Sequence, residues 1–366
     1  MTSDRAVDLT MIVPGDPDQR TGGYLYDARV VQALRRSGWS VRVVGLDGLF
    51  PETDQRFREH FQAVLAALPD GARVLVDGLA LGGAPEVAET HAERLWLCAL
   101  MHHPLADETG LPEVLRRRFL ASERRALAAC RRVVVTSGFC ARRVGELGLS
   151  ATEARVAEPG VEPAALATTA RRRLNGETAK GRALLCVASV TPRKGQDVLI
   201  EALAGIRDRD WRLELAGSAR RDPDYAARVE SLISRHGLSD RVRALGELDQ
   251  DALNAAYERA GVVVVPSHYE GYGMVVTEAV ARGLPLIATD GGALAETVPP
   301  GCSLQVTSGQ PVALRDALIR WLDDEALRSR LYDGALAHRD RLPSWSETAR
   351  LLAAAVSGEP TAEASP

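Results

Sequence analysis

Two glutamates, Glu270 and Glu278, stand on either side of a glycine-punctuated turn in the second half of the chain. The turn follows residues 261–265, an apolar and β-branched run that is typical of a buried parallel strand. A helical pattern starts near Met274, and the N–H groups at a helix start favour an anion. Carboxylates beside such a helix start suit hydroxyl groups. The stretch therefore predicts a site for a ligand that carries both phosphate and hydroxyls.

The order of elements around this turn is strand, glycine loop, helix and strand, with a second short strand at 286–288. This order predicts a βαβ unit whose loop lies at the carboxyl end of the first strand, where open α/β sheets bind ligands. A nucleotide sugar has the phosphates and the hydroxyls that such a loop would bind. The glutamates also allow a purely structural interpretation, in which Glu278 is a solvated helix residue and Glu270 an anion that favours the helix start.

The run EGYGMVVTEAVARGLPLIATDGG, with its glutamates in E-x7-E spacing, resembles the donor site of retaining glycosyltransferases of family 4. The resemblance covers nearly the whole chain. It implies an α/β protein of the GT-B fold, with two Rossmann-like domains facing each other across a deep cleft. It also implies that Glu270 contacts sugar hydroxyls and that Glu278 contacts the ribose. The donor-binding residues that it implies in this stretch are Gly271, Tyr272, Gly273, Met274, Val275, Thr277 and Glu278.

A second segment, VASVTPRKGQDVLIEAL, resembles the family pattern G-R-x4-K-G. This resemblance implies that Lys194 contacts the donor diphosphate, where a cation stabilises the charge that grows as the sugar departs. Ser189 stands where an arginine is common in the family, and Arg193 is expected to supply the second charge.

Two further motifs lie in the first half of the chain. Gly22 and Gly23 follow a predicted strand at 9–13, and family members carry a similar glycine pair that faces the donor phosphates. Family members also carry a histidine that contacts the sugar after a strand, here at 95–100, which leaves His102 or His103, of which we favour His103. The resemblance thus implies His103, His102, Glu270 and Lys194 as catalytic residues. The structural alternatives are a simple glycine turn and a histidine that only packs against its loop.

Composition limits the class of protein. The 366 residues carry a net charge of −4 with a pI near 6.0, which argues against a nucleic-acid binder. No membrane span or signal peptide is recognisable, and the five scattered cysteines are typical of reduced core thiols, so a cytoplasmic location is expected. An arginine-rich helix at 113–132 is predicted to have a solvated face, although it leaves peripheral membrane contact open. Its predicted buried side contains Val114, Leu115, Phe119 and Leu127.

The length predicts about two domains. We expect residues 1–167 to form an acceptor-side domain and residues 168–340 a nucleotide-sugar-binding domain, with a polar linker around 165–181. The family resemblance implies that a helix at 341–357 crosses back to the first domain. Residues 358–366 are expected to be a disordered tail.

The expected function is retaining transfer of a hexosyl group from a UDP- or GDP-linked sugar to an unidentified hydroxyl acceptor, which is a small molecule, a glycan or a lipid-linked group. No D-x-D metal clamp is evident, so neither a metal nor another cofactor is expected. The alternatives are a non-catalytic nucleotide-sugar-binding protein and a phosphorylase or epimerase of the GT-B fold. An NAD-dependent oxidoreductase is disfavoured because no G-x-G-x-x-G follows the first strand. The sugar, the base, the acceptor and the oligomeric state stay open.

Overall fold

The computed structural model describes residues 7–177 and 182–358, which form two compact units. The first unit runs to Gly160 and resumes at Pro343, and the second comprises Val161–Leu342. Each unit has its own parallel sheet and its own buried apolar core. Among the described residues, none of the helices is long and apolar enough to cross a bilayer.

The sheet of the first unit has six parallel strands in the order β2-β1-β3-β4-β5-β6. Apolar runs produce these strands because side chains on both faces of the sheet are covered. The strand order reverses between β1 and β3, which is where ligands bind in open α/β sheets. The strands are β1 Leu9–Pro14, β2 Val41–Leu46, β3 Arg73–Asp77, β4 Trp96–Met101, β5 Arg132–Val135 and β6 Arg155–Val156.

Seven helices of the first unit flank this sheet in the described residues. Several begin at a side-chain cap, such as Asp54 accepting from Phe57 N and Ser137 accepting from Cys140 N. The helices are α1 Gly22–Arg36, α2 Gln55–Ala66, α3 Gly78–Gly83, α4 Pro85–His91, α5 Glu113–Ala128, α6 Gly138–Glu146 and, after the second unit, α15 Trp345–Ser357.

The predicted face of α5 is only partly correct. Phe119 and Leu127 are buried as expected, and Leu115 is half-buried. Val114 is 78% exposed, so its predicted burial was wrong. The buried side of the helix instead includes Glu123, which is 2% exposed. The apolar periodicity alone does not reveal a buried acid, which needs a partner from elsewhere in the chain.

The sheet of the second unit has six parallel strands in the order β12-β11-β10-β7-β8-β9. The order reverses between β7 and β10, and these two neighbours place the loops that follow them side by side. The strands are β7 Ala183–Val187, β8 Arg212–Ala216, β9 Val242–Gly246, β10 Val262–Val265, β11 Leu286–Thr289 and β12 Ser303–Val306.

The helices of the second unit include α7, which lies in the segment that was expected to be a linker. Part of that segment, residues 178–181, lies outside the described residues, as does most of the predicted disordered tail, residues 359–366. The helices are α7 Thr168–Leu174, α8 Gln196–Ala204, α9 Pro223–Arg235, α10 Gln250–Arg259, α11 Met274–Ala281, α12 Leu294–Thr297, α13 Pro311–Asp323 and α14 Glu325–Arg339.

Candidate functional site

The candidate site in the second unit lies where the loops after β7 and β10 meet. The first loop ends in a short 3₁₀ turn, Pro192–Lys194, and the second contains His268, whose backbone N–H donates to Arg193 O at 2.8 Å. Gly195 follows with φ +64°, and a Cβ there would lie 2.2 Å from Pro266 O. Only glycine permits this close approach of the two loops. The fold therefore brings the basic segment and the acidic segment together.

Glu270 is the centre of an ion-pair cluster in this place. Lys194 Nζ donates to Glu270 Oε1 at 2.6 Å, and Arg193 Nη1 lies 3.4 Å from Glu270 Oε2. Ser267 Oγ donates to Glu270 Oε1 at 2.7 Å. The structure thus joins three of the predicted site residues by direct contacts, and it adds Ser267, which the sequence analysis did not single out.

The charges of the cluster follow from its geometry. Glu270 is 6% exposed, and burial alone would raise its pKa. Lys194 and Arg193 outweigh the burial and lower the pKa of Glu270 to about 2, so the carboxylate is ionised at neutral pH. Burial lowers the pKa of Lys194, and Glu270 opposes that shift. Two basic side chains thus contact one carboxylate at the point where the two loops meet.

The glycine turn leads into α11. Gly273 has φ +90° and precedes the helix, which begins without a side-chain cap and without an acidic residue in its first turn. Met274 and Val275 are half-buried at this helix start. The backbone therefore presents a helix N-terminus of the kind that binds anions, beside the cations of the neighbouring loop.

Other predicted residues of this turn serve the local structure. Tyr272 is buried, and its carbonyl accepts from Thr297 Oγ1 at 2.7 Å. Thr277 is buried too, and its hydroxyl donates to Met274 O at 2.9 Å. Gly271 is buried in the same turn. Their proposed contacts with a donor stay predictions.

Glu278 lies one turn into α11 and is half-buried. Its Oε2 accepts a hydrogen bond of 2.7 Å from the hydroxyl of Tyr257 on α10. Side chains of a helix lean toward its N-terminus, so the Cα–Cβ bond of Glu278 is tilted toward the start of α11.

The remaining predicted residues, Gly22, Gly23, His102 and His103, belong to the first unit. The two glycines start α1 just after β1, again without a side-chain cap. A Cβ on Gly23 would lie 3.2 Å from the ring of His102, whereas a Cβ on Gly22 would meet nothing within 4 Å. Gly23, but not Gly22, therefore lies against His102.

His102 is bound between two buried aspartates. Its Nε2 lies 3.2 Å from Asp27 Oδ1 and 3.4 Å from Asp77 Oδ2. Burial favours the neutral ring, but the two carboxylates outweigh it and raise the pKa of His102 to about 10. The three ligand atoms lie within 4.8 Å of one another, a spacing that could hold a metal ion. Such an ion would first have to displace the proton of His102.

His103 points to a different partner. Its Nε2 lies 3.3 Å from Glu108 Oε2, and the backbone after it forms a 3₁₀ turn, Leu105–Asp107. Buried Glu123 accepts from Leu105 N at 2.7 Å, and burial raises the pKa of Glu123 to about 8. The two neighbouring histidines of this loop thus have different partners: His102 lies between two buried aspartates, whereas His103 contacts the partly exposed carboxylate of Glu108.

Sequence reasoning did not identify Asp27, Asp77, Glu108 or Glu123. Asp77 is the last residue of β3, and an acid at the carboxyl end of a parallel strand is a recognisable signal. Asp27 has a weaker signal, because it lies four residues after Gly23 and therefore on the same face of α1. Glu123 was interpreted as part of a solvated face.

Comparison with known sequences identifies relatives of this chain. Residues 168–337 match the family model described as glycosyl transferases group 1. The D-inositol 3-phosphate glycosyltransferase of Acidothermus cellulolyticus is 33% identical over 288 residues, which cover 72% of this chain and 62% of that protein. The protein of the same name from Pseudarthrobacter chlorophenolicus is 30% identical over 281 residues, which cover 72% of this chain and 66% of that protein. The chain thus spans less than two thirds of the length of these relatives.

Solved structures resemble both units. Sucrose-phosphate synthase of Thermosynechococcus elongatus is 25% identical with a TM-score of 0.78, covering 94% of this chain and 97% of that one. HepE of Anabaena, in complex with UDP and glucose, is 19% identical with a TM-score of 0.74, covering 96% and 100%, and this likeness concerns the fold alone. With its two six-stranded parallel sheets, the chain has the GT-B fold, and its second unit is similar to the group 1 glycosyl transferases.

Proposed function

We propose that this protein is a retaining glycosyltransferase that transfers a hexosyl group from a UDP- or GDP-linked sugar to a hydroxyl acceptor. The observation that carries the proposal is the contact of Arg193 and Lys194 with Glu270 at the reversal point of the second sheet. This cluster, with two basic side chains and one carboxylate, lies beside an uncapped helix start. A nucleoside diphosphate is the matching anion.

The proposed roles follow from the chemistry of each group. Lys194, Arg193 and the first N–H groups of α11 bind the diphosphate and stabilise the negative charge that develops as the sugar departs. Glu278 accepts from the ribose hydroxyls. Glu270 and His103 bind sugar hydroxyls and stabilise the positive charge near the anomeric carbon.

Retention requires that the acceptor attack the face from which the diphosphate leaves. In the proposed step the bond from the anomeric carbon to the diphosphate oxygen breaks, and a bond to the acceptor oxygen forms. The acceptor proton passes to the leaving diphosphate. No carboxylate nucleophile is needed, in contrast to the double displacement of retaining glycosidases.

The first test is the response of the melting temperature to UDP, GDP, ADP and their hexose conjugates. A ligand that binds only the folded protein raises its melting temperature. We expect a UDP- or GDP-linked ligand to give the largest rise. D-inositol 3-phosphate, which appears in the name of the curated relatives, is the first acceptor to assay. Release of nucleoside diphosphate only when an acceptor is present indicates transfer, whereas tight donor binding without release in any acceptor mixture indicates a binding protein.

Two substitutions separate the proposed roles. We expect Lys194→Ala to lower kcat about a hundredfold, because it removes charge stabilisation from the transition state. We expect Glu278→Ala chiefly to raise the donor KM, because it removes a contact that exists before and during the reaction. Equal turnover of Lys194→Ala and the wild type at saturating donor would contradict the role of Lys194. Melting temperatures of both variants serve as the folding control.

A further inference from the structure

Tyr257 contacts the proposed ribose-binding carboxylate from inside the protein. Its side chain is 0% exposed on α10, and its hydroxyl lies 2.7 Å from Glu278 Oε2. Burial, and after it the negative charge of Glu278, raises the pKa of Tyr257 well above its usual value. The phenol therefore stays protonated, and its O–H group donates a charge-assisted hydrogen bond to the carboxylate.

Arg282 contacts both the ring of Tyr257 and the helix that carries Glu278. Its guanidinium carbon lies 4.3 Å from the centroid of the Tyr257 ring. Its Nη1 donates to the backbone carbonyl of Glu278 at 2.9 Å, and its Nη2 donates to Asn254 Oδ1 at 2.6 Å. Because Asn254 lies on α10 and Glu278 on α11, Arg282 links the two helices next to the hydrogen bond.

The buried tyrosines of the second unit differ in the partner of their hydroxyl, and Tyr225, like Tyr257, donates to a carboxylate, that of Asp197, at 2.7 Å. Tyr332 is also buried, and its hydroxyl donates to a backbone carbonyl, that of Gly261, at 2.6 Å. A backbone carbonyl has a fixed position. Glu278 has a flexible, half-buried side chain, so a hydrogen bond to it restricts a group that would otherwise sample several rotamers.

We propose that Tyr257 is a positioning residue, which orients the Glu278 carboxylate for the ribose hydroxyls of the donor. The inference rests on the proposed function, since it requires that Glu278 contact the ribose. A carboxylate has about four acceptor positions on its two oxygens, so the tyrosine hydroxyl occupies one and leaves others for the ligand. The donor then binds a carboxylate whose rotamer is already selected, and less conformational entropy is lost on binding.

The test is the affinity of Tyr257→Phe for nucleoside diphosphates with and without ribose hydroxyls. The ligands are UDP or GDP, whichever raises the melting temperature more, and its 2′,3′-dideoxy form, all measured by titration calorimetry. We expect Tyr257→Phe to bind the ribose form about tenfold more weakly than the wild type, the size expected for a hydrogen bond to a charged group. We expect the dideoxy form to bind equally to both proteins, because it makes no contact that Glu278 could improve.

Tyr332→Phe is the matched control, because it removes one buried tyrosine hydroxyl of the same unit away from Glu278. It should leave both affinities unchanged. If Tyr257→Phe lowers the affinity for the ribose form and the dideoxy form equally, the tyrosine only supports the fold. If it lowers neither affinity, the tyrosine does not position Glu278. Either result overturns the proposal. If Tyr257→Phe unfolds, Arg282→Lys, which removes the planar group that holds the Tyr257 ring and leaves Glu278 unchanged, must show the same selective loss.

Glu278→Ala distinguishes this inference from the proposed function. If Glu278→Ala loses affinity for the ribose form while Tyr257→Phe does not, the ribose contact holds and the positioning role fails. If Glu278→Ala binds the ribose form as the wild type does, the proposed role of Glu278 itself is wrong. In that case the proposed role of Tyr257 is wrong as well.

Discussion

At the scale of single residues, Glu270 has the most charged surroundings of the candidate site. It is nearly inaccessible to solvent, yet Lys194, Arg193 and Ser267 all contact it. A buried carboxylate with such partners is strongly favoured in its ionised form, and the same partners would be costly to bury without it. The cluster must therefore contribute to stability as well as to the proposed binding of a diphosphate.

The pH dependence of stability should report this carboxylate. Because the pKa of Glu270 is lowered to about 2 in the folded state, its contribution is fully present above its unfolded pKa near 4.5 and is lost as the pH falls toward 2. We expect Glu270→Gln to lower the free energy of unfolding by about 3 kcal/mol at pH 7, and the difference from the wild type to shrink below pH 4. Urea denaturation of the wild type and the variant over this pH range measures the difference in the free energy of unfolding.

The control for this prediction is a glutamate in an exposed ion pair. Glu258 lies 2.7 Å from Arg171, and both side chains are about half exposed. We expect Glu258→Gln to change the free energy of unfolding by less than about 1 kcal/mol at any pH. A pH-independent effect of Glu270→Gln would show that the ion pair is not the source of the stability.

At the scale of elements, the start of α1 is shaped by the ring of His102. Asp27 and Asp77 restrain that ring, so it cannot move aside freely from a side chain at Gly23. Alanine would improve the helix propensity at both Gly22 and Gly23, by up to about 1 kcal/mol in a helix interior and by less at a helix start. Only at Gly23 does the added methyl group contact the ring.

We therefore expect Gly23→Ala to be about 1 kcal/mol less stable than Gly22→Ala, because overpacking offsets the gain in propensity. Urea denaturation of the two variants at neutral pH gives the comparison. Equal stability of the two would mean that the aspartates do not restrain His102. The substitutions are compared for stability alone, since both glycines are candidates for donor binding.

The elements that position the site could be predicted from the sequence because their signals are local. Val262–Val265 is a β-branched run that ends at Pro266, and the glycines around it mark the loop that the structure contains. The pairing of this strand with β7 brings the segment of Lys194 to the segment of Glu270. The family resemblance predicted that these two segments contribute to one site, which propensity and periodicity alone do not predict.

The partners of the site residues could not be predicted in the same way. Asp77 and Asp27 contact His102 from positions 25 and 75 residues earlier in the chain, and only the sheet order brings them together. Glu123 appears in an arginine-rich helix, where an acid is expected to face water, but its side-chain oxygen accepts a hydrogen bond from the backbone N–H of Leu105. In each case the partner is separated in sequence, and no local pattern indicates it.

At the scale of the whole molecule, the two units differ in how the chain forms them. Val161–Leu342 is one continuous segment, whereas the first unit also needs α15. Trp345 on α15 packs edge-on against Tyr26 with ring centroids 5.7 Å apart, and Thr348 Oγ1 donates to Glu158 O at 2.7 Å. A Cβ on Gly160 would lie 2.2 Å from Trp345 N. The helix is therefore an integral part of the first unit.

We propose that the second unit folds autonomously and carries the nucleotide site. A fragment of Val161–Leu342 should unfold cooperatively on heating, and UDP or GDP should raise its melting temperature. A fragment that ends at Gly160 should bind a dye for exposed apolar surface, because Tyr26 and its neighbours on α1 lose their cover. A cooperatively folded fragment up to Gly160 without such binding would contradict the need for α15.

The position of α15 in the chain also sets an order of events during translation. The strands β1–β6 leave the ribosome first, but their unit lacks α15 until all of Val161–Leu342 has been synthesised. The nascent second unit can complete its sheet while the earlier one still exposes apolar surface. A chaperone that binds nascent chains would thus be expected to remain on the earlier half for longer, and a premature stop codon before Trp345 would damage the part of the protein that was made first.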